Sequence, residues 1–358
     1  MEIKEFLQIV VERNASDLHL LPTFPPILRI NGVLHPLVTY PELDSKMVEM
    51  FIFSILSGEQ KELLLANKEL DFSCSIEDSS KGEKFRFRVN AYYQKDTLSA
   101  SFRYIVGKIR TVEELGLPQI LHQFSKLRQG FILLTGPTGQ GKSTTLAAMI
   151  NEINFARAEH IITIEDPIEY VYPKGKSIVS QRELRSDTHS WEIALRSVLR
   201  EDPDVVLIGE MRDYETISAA LTIAETGHLV FSTLHTNSAS QTIDRIIDVF
   251  PSYQQAQIRL QLSMVLQGIV CQKLLPDIHG GRVPSCEVLI AIPSVRNTIR
   301  EAKTHLIDNI IQTSADMGMF SFETYLKELI GKGKITQDIA LEYAIRPEEL
   351  LRLMHAVK

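Results

Sequence analysis

Cysteine, tryptophan and long apolar runs are what this 358-residue sequence has least of, with three cysteines and one tryptophan. Cys74, Cys271 and Cys286 are odd in number, far apart and without a CxxC spacing. That excludes a disulfide scaffold and a thiolate zinc module, and the three read as reduced thiols of a cytosolic protein. No apolar run reaches the roughly 18 residues a membrane-spanning helix needs, so direct membrane insertion is not expected. Glu2, Glu5 and Glu12 interrupt the apolar residues of the first segment, which argues against a secretory leader. There is no excess of positive charge either: 38 Lys and Arg face 45 Asp and Glu, a formal net charge of −7. Without a basic field or an aromatic-basic stripe, a nucleic-acid partner is not expected. Fixed-period repeats and low-complexity segments are absent too. What is present is the mix of an ordinary globular chain, 44% hydrophobic and 23% charged. At about 150 residues per domain, its length suggests two or three domains.

Residues 1–106 read as an α+β domain. Ile3, Phe6, Leu7 and Val10 recur at i, i+3, i+4 and i+7, which predicts an amphipathic first helix. ILRI and VLHPL flank Asn31-Gly32, two residues that tolerate positive φ, so a tight hairpin is expected there. One helical stretch follows from Ser45 to Ala66. Phe85, Phe87, Val89 and Ala91 then alternate with arginines and Asn90, and Leu98, Ala100, Phe102 and Tyr104 alternate with Ser99, Ser101 and Arg103. Period two predicts strands with one packed face and one polar face. Residues 107–117 read as a linker. Residues 118–293 contain four continuous apolar runs, FILLT, HIITI, DVVLI and HLVFST, separated by helical patterns. Such runs suit strands buried on both faces, and the alternation predicts a parallel α/β core. Residues 294–358 read as helical, with Pro347 placed for the first turn of a last helix.

Gly136, Pro137, Thr138, Gly139, Gln140, Gly141, Lys142, Ser143 and Thr144 fit the pattern GxxxxGK[ST]. Glycines allow backbone N–H groups to turn inward around phosphates, Lys142 brings a positive charge to the β/γ-phosphates, and Ser143 can ligate Mg²⁺. A strand leads in and a helix-compatible run, Lys142 to Ala156, leads out, so a helix N-terminus lies beneath the anion. A nucleotide with Mg²⁺ is therefore expected here, and hydrolysis does not follow from the loop alone. DVVLIGEMRD puts Glu210 just past a buried strand, where α/β sites lie. Many P-loop ATPases have an acid one residue earlier, at the position of Gly209. Glu210 is expected to position or activate the attacking water, with a solvated strand-end carboxylate as the alternative. Glu165, Asp166 and Glu169 follow another strand. They read either as groups handling Mg²⁺ and water or as ordinary surface acids, and Glu165 is the runner-up base. His228 and His235 bracket the fourth strand. Zinc lacks a third ligand there, which leaves a phosphate or carboxylate contact, or a satisfied buried imidazole.

In order and spacing, GPTGQGKSTT, IITIEDPIEY, VVLIGEMRD and TGHLVFSTLHTNSA resemble the Walker A, Asp-box, Walker B and His-box segments of the type II/IV secretion ATPases. ASDLHL, RFRVNA and SQRE…ALRSVLREDPD extend the resemblance over nearly the whole chain. Within that family the short chain, the missing four-cysteine module and SVRNTIRE (294–301) resemble the pilus retraction branch. Gln140, where Ser is usual, and Val106, where Pro is frequent, depart from the pattern. The resemblance implies a PAS-like N-terminal domain, a RecA-like P-loop ATPase core and a helical C-terminal segment. It implies a homohexamer that docks on the cytoplasmic side of an inner-membrane pilus platform protein and acts on pilin indirectly. It also implies that Arg88 and Arg103 reach a neighbouring subunit's γ-phosphate and that His235 contacts the nucleotide. The alternatives are an extension or secretion ATPase, a weakly hydrolysing accessory subunit, and a solvated sheet face for the two arginines.

Overall fold

The structure is a computed structural model and describes residues 1–30, 32–78, 83–105 and 107–355. It divides into two compact units, one of Met1–Lys108 with Pro167–Val171 and the other of Ile109–Asp166 with Tyr172–Lys358.

In the first unit the helix Ile3–Glu12 buries Ile3, Phe6, Leu7 and Val10, the four positions of the apolar stripe. The expected single helix from Ser45 is two, Ser45–Phe53 and Gly58–Asn67. Asp44 caps the first through the Met47 amide. Ser57 and Gln60 form a reciprocal capping box at the second, and this restart signal breaks the stretch. Six antiparallel strands follow the order β3-β2-β1-β6-β5-β4. They are β1 (Asp17–Leu20), β2 (Ile27–Ile30), β3 (Val33–Pro36), β4 (Glu69–Asp78), β5 (Glu83–Gln94) and β6 (Thr97–Ile105). The β2–β3 hairpin is present, with Gly32 at φ +84°; Asn31, like Val106, lies outside the described residues. Phe87, Val89, Ala91, Leu98, Ala100 and Phe102 are buried with Phe6 and Phe51 in one core. Each such buried phenylalanine contributes roughly 2–3 kcal/mol by leaving water.

The second unit holds a seven-stranded sheet in the order β13-β12-β7-β11-β10-β8-β9. Its strands are β7 (Gly130–Thr135), β8 (His160–Glu165), β9 (Ile178–Glu183), β10 (Val205–Ile208), β11 (Leu229–Leu234), β12 (Leu266–Pro276) and β13 (Arg282–Ile290). All neighbours pair in parallel except β12 with β13. The four apolar runs are β7, β8, β10 and β11, and β7, β10 and β11 are buried along their whole length. Helices after Pro293 cover β12 and β13, and a bridge from Phe320 to Val288 extends the pairing beyond β13. The last helix, Pro347–His355, begins on Pro347. Among the described residues no helix is long and apolar enough to cross a membrane.

Candidate nucleotide site

Parallel register brings the C-terminal ends of β7, β8, β10 and β11 to one edge of the second sheet. Ile164, Ile208 and Ser232 are level with one another, and Leu234 is level with Thr135. Four segments emerge there: the loop 136–141, Glu165, Glu210 and His235. In an open parallel sheet this is the edge where ligands bind.

The loop leaves β7 through Gly136 at φ +139°, where an added Cβ would stand 2.2 Å from the Gln272 carbonyl oxygen. No other residue fits both the conformation and the space. Gly139 and Gly141 both sit at φ +80°, and the helix Lys142–Ala156 begins directly after them. The Lys142 ammonium is buried in the loop and donates to the carbonyls of Gly136 at 2.6 Å and Pro137 at 3.0 Å. Ser143 is exposed on the first helical turn and Thr144 is half-buried beside it. A loop of positive-φ glycines, a buried lysine and an open helix N-terminus is a donor set suited to phosphate, and the exposed Ser143 hydroxyl suits Mg²⁺.

Glu165 is the last residue of β8. Its carboxylate accepts from the Thr163 hydroxyl at 2.6 Å, on the same strand face, and from the Gln181 amide at 3.2 Å. Glu210 lies two residues past β10. Its carboxylate pairs with Arg212 at 2.6 Å and accepts from His235 Nε2 at 3.3 Å. The intervening Gly209 packs against β8, with its amide on the Ile164 carbonyl at 2.8 Å. An added Cβ there would stand 3.3 Å from that same oxygen, a tight contact. The Thr233 hydroxyl on the Gly209 carbonyl, at 2.7 Å, fixes the turn from the other side.

His228 is at the opposite end of β11 from His235. Its Nδ1 donates to the Ile223 carbonyl at 3.0 Å, the satisfied-imidazole alternative. Asp166 is exposed, and Glu169 lies in the segment that belongs to the first unit.

The family model for Type II/IV secretion system proteins matches residues 2–315. The Type IV pilus retractation ATPase PilT of Pseudomonas aeruginosa is 46% identical over 97% of this chain and 99% of its own. A twitching motility protein of Neisseria gonorrhoeae is 44% identical over 91% of this chain and 86% of its own. A crystal structure of the pilus retraction motor PilT with bound ADP superposes at a TM-score of 0.89 with 45% identity, covering 98% of this chain and 99% of that one. The chain belongs to the type II/IV secretion ATPase family. It is a nucleotide-binding ATPase of the pilus retraction branch.

In this family member the two candidate arginines lie on the first unit. Arg88 and Arg103 are direct cross-strand partners on the polar face of β5 and β6. They continue a row across the sheet in which Asp17 faces Arg103 on one side and Arg29 on the other. Arg103 Nε donates to Asp17 at 2.9 Å while its side chain remains 70% exposed.

In the SVRNTIRE segment the guanidinium of Arg296 turns inward. It donates to the carbonyls of Ala291 at 2.8 Å, Ser263 at 2.8 Å and Met264 at 2.6 Å. Two of those carbonyls close the helix Ser252–Val265, so Arg296 satisfies helix-end acceptors that have no partner within the helix. Burial pulls its pKa down. Asn297 and Arg300 are exposed, and Asn297 donates to Glu301 and accepts from Arg300.

Proposed function

We propose that this ATPase powers retraction of type IV pili, drawing pilin back through a membrane platform. The observation that carries the reading is the similarity to a pilus retraction ATPase along nearly the whole chain, in a protein that keeps both Lys142 and Glu210. The loop 136–144 would cradle the ATP phosphates with Lys142 on the β/γ oxygens. Mg²⁺ held through Ser143 would offset phosphate charge. Glu210, oriented by Arg212 and His235, would position the attacking water, and His235 would lie within reach of the nucleotide. Glu165, at the end of β8, is second in line for that role. Six copies would form a ring, with Arg88 and Arg103 completing a neighbour's site, on the cytoplasmic face of an inner-membrane pilus platform protein of the PilC kind.

Deletion of the gene in its own organism tests the direction of force. The expected result is abundant surface pili with twitching lost, restored by the wild-type chain and not by Glu210→Gln. A deletion strain without pili would instead mark an extension ATPase, and normal twitching would mark an accessory subunit.

A further inference from the structure

The GxxxxGKS string does not hold its own shape. β12 runs beside β7 in parallel with Cys271 level with Thr135, so Gln272 arrives level with the start of the loop. Gln272 is 2% exposed. Its Nε2 donates to the Gln140 carbonyl at 2.7 Å, and its Oε1 accepts from the Thr145 hydroxyl at 2.8 Å. One amide thus ties the top of the loop to the first turn of the helix beneath it. A second tie runs the other way, from the Leu274 backbone amide to the Gln140 side-chain oxygen at 2.5 Å. Serine, the residue usual at position 140, is too short to make it.

An amide of this length supplies the donor and the acceptor together at neutral pH. A glutamate could accept from Thr145 but would set its charge against the Gln140 carbonyl, and a methionine could do neither. The geometry of a planar trans peptide makes the donor bond matter. The carbonyl of Gln140 and the N–H of Gly141 point in opposite directions, so holding the oxygen on β12 turns that N–H away from β12. Losing the bond frees this peptide to rotate in the segment where phosphate binding needs fixed donors.

We propose that Gln272 is a positioning residue for the phosphate loop, locking the Gln140–Gly141 peptide, and that the Gln140 side chain is its second lock. The proposal rests on the loop being the ATP site, and the experiment separates the two. Full-length Gln272→Met, Gln272→Glu, Gln140→Ser and Lys142→Ala would be titrated with fluorescent ADP, with kcat and KM for ATP and the apo melting temperature recorded. Gln272→Met should weaken ADP about tenfold, as expected for one buried neutral hydrogen bond, and raise KM more than it lowers kcat. Gln140→Ser should weaken ADP by about threefold and remains readable if the buried variants fail to fold. Gln272→Glu should bind poorly at pH 8 and recover as the pH falls, because a protonated carboxyl regains the donor; Gln272→Met should show no such recovery. A purely packing role would not produce that pH rescue. Wild-type ADP affinity in folded Gln272→Met, or in Gln140→Ser, would overturn the proposal. Wild-type ADP affinity in Lys142→Ala would overturn the ATP-site reading instead.

Discussion

The two units handle charge in opposite ways. The first keeps Arg29, Asp17, Arg103 and Arg88 in a row on an open sheet face, where Arg103 is mostly solvated and only Asp17 of the four is buried. The second covers its sheet with helices and takes charge inside. There, Arg346 meets Asp308 at 3.0 Å, Glu349 at 3.1 Å, Glu323 at 3.4 Å and Glu287 at 3.9 Å. Glu287 and Glu323 are fully buried. Burial lowers the Arg346 pKa, but the surrounding carboxylates outweigh it and the net shift is upward. Solvated charge costs little and stays free to act on something else, whereas buried charge must be neutralised on the spot. The contrast predicts that arginines of the first unit matter for activity and those of the second for stability.

The largest effect should come from the open face. Arg103→Ala should lower ATP turnover by about a hundredfold, the size of effect expected when a group that stabilises the transition state is lost. It should move the melting temperature little, since Arg103 is largely solvated and Arg29 remains beside the buried Asp17. Glu210→Gln should be similarly inactive while still binding ATP. Single-turnover hydrolysis should reappear when the two inactive proteins exchange subunits, because some interfaces then combine an intact Glu210 with a neighbour's intact Arg103. Persistent inactivity in verified mixed rings would break the contrast on this side.

Next comes Arg346→Met. It leaves four carboxylates around a neutral side chain, a change worth about 2 kcal/mol once the partial solvation of Arg346 is allowed for. Chemical denaturation should register that loss while turnover at 25 °C stays within twofold of wild type. A turnover loss as large as that of Arg103→Ala would erase the distinction between the units.

The smallest effect is a pH slope. Burial is the main cause that raises the Glu287 carboxyl to about 7, with Asp308 and Glu323 adding to it against the Ala239 amide and Arg346. The folded state therefore holds a proton that the unfolded chain releases above pH ~4.5. Stability from this group falls as pH rises between about 4.5 and 7, and the full cost of an ionised buried carboxylate remains above that. Glu287→Gln should flatten the decline between pH 5 and 8, read from denaturant midpoints. An unchanged slope would assign the titration to another group.

The sequence displayed some of this openly and hid the rest for physical reasons. β7, β8, β10 and β11 show as continuous apolar runs because helices cover both faces. β9 escaped notice because IVSQRE is a half-exposed strand at the sheet edge, without an apolar run or alternation. β12 and β13 escaped because buried Gln272 and Glu287 serve distant partners and break the pattern. The loop residues are adjacent in sequence and so form a visible string, and Glu165 and Glu210 stand out as acids after apolar runs. The inward turn of Arg296 depends on helix ends that exist only once the chain has folded. Gln272 belongs to no short motif at all.

The partner atoms of the loop brace lie 132 and 134 residues apart along the chain. A ribosome adds residues from the N-terminus, so the glycine-lysine string emerges well before the strand that fixes it. Until β12 has been synthesised and paired beside β7, the growing chain displays the signature of a nucleotide site without its finished geometry. Nucleotide would therefore meet a looser loop early in synthesis than in the finished protein. Its stabilising influence reaches full strength only when most of the second unit has been made.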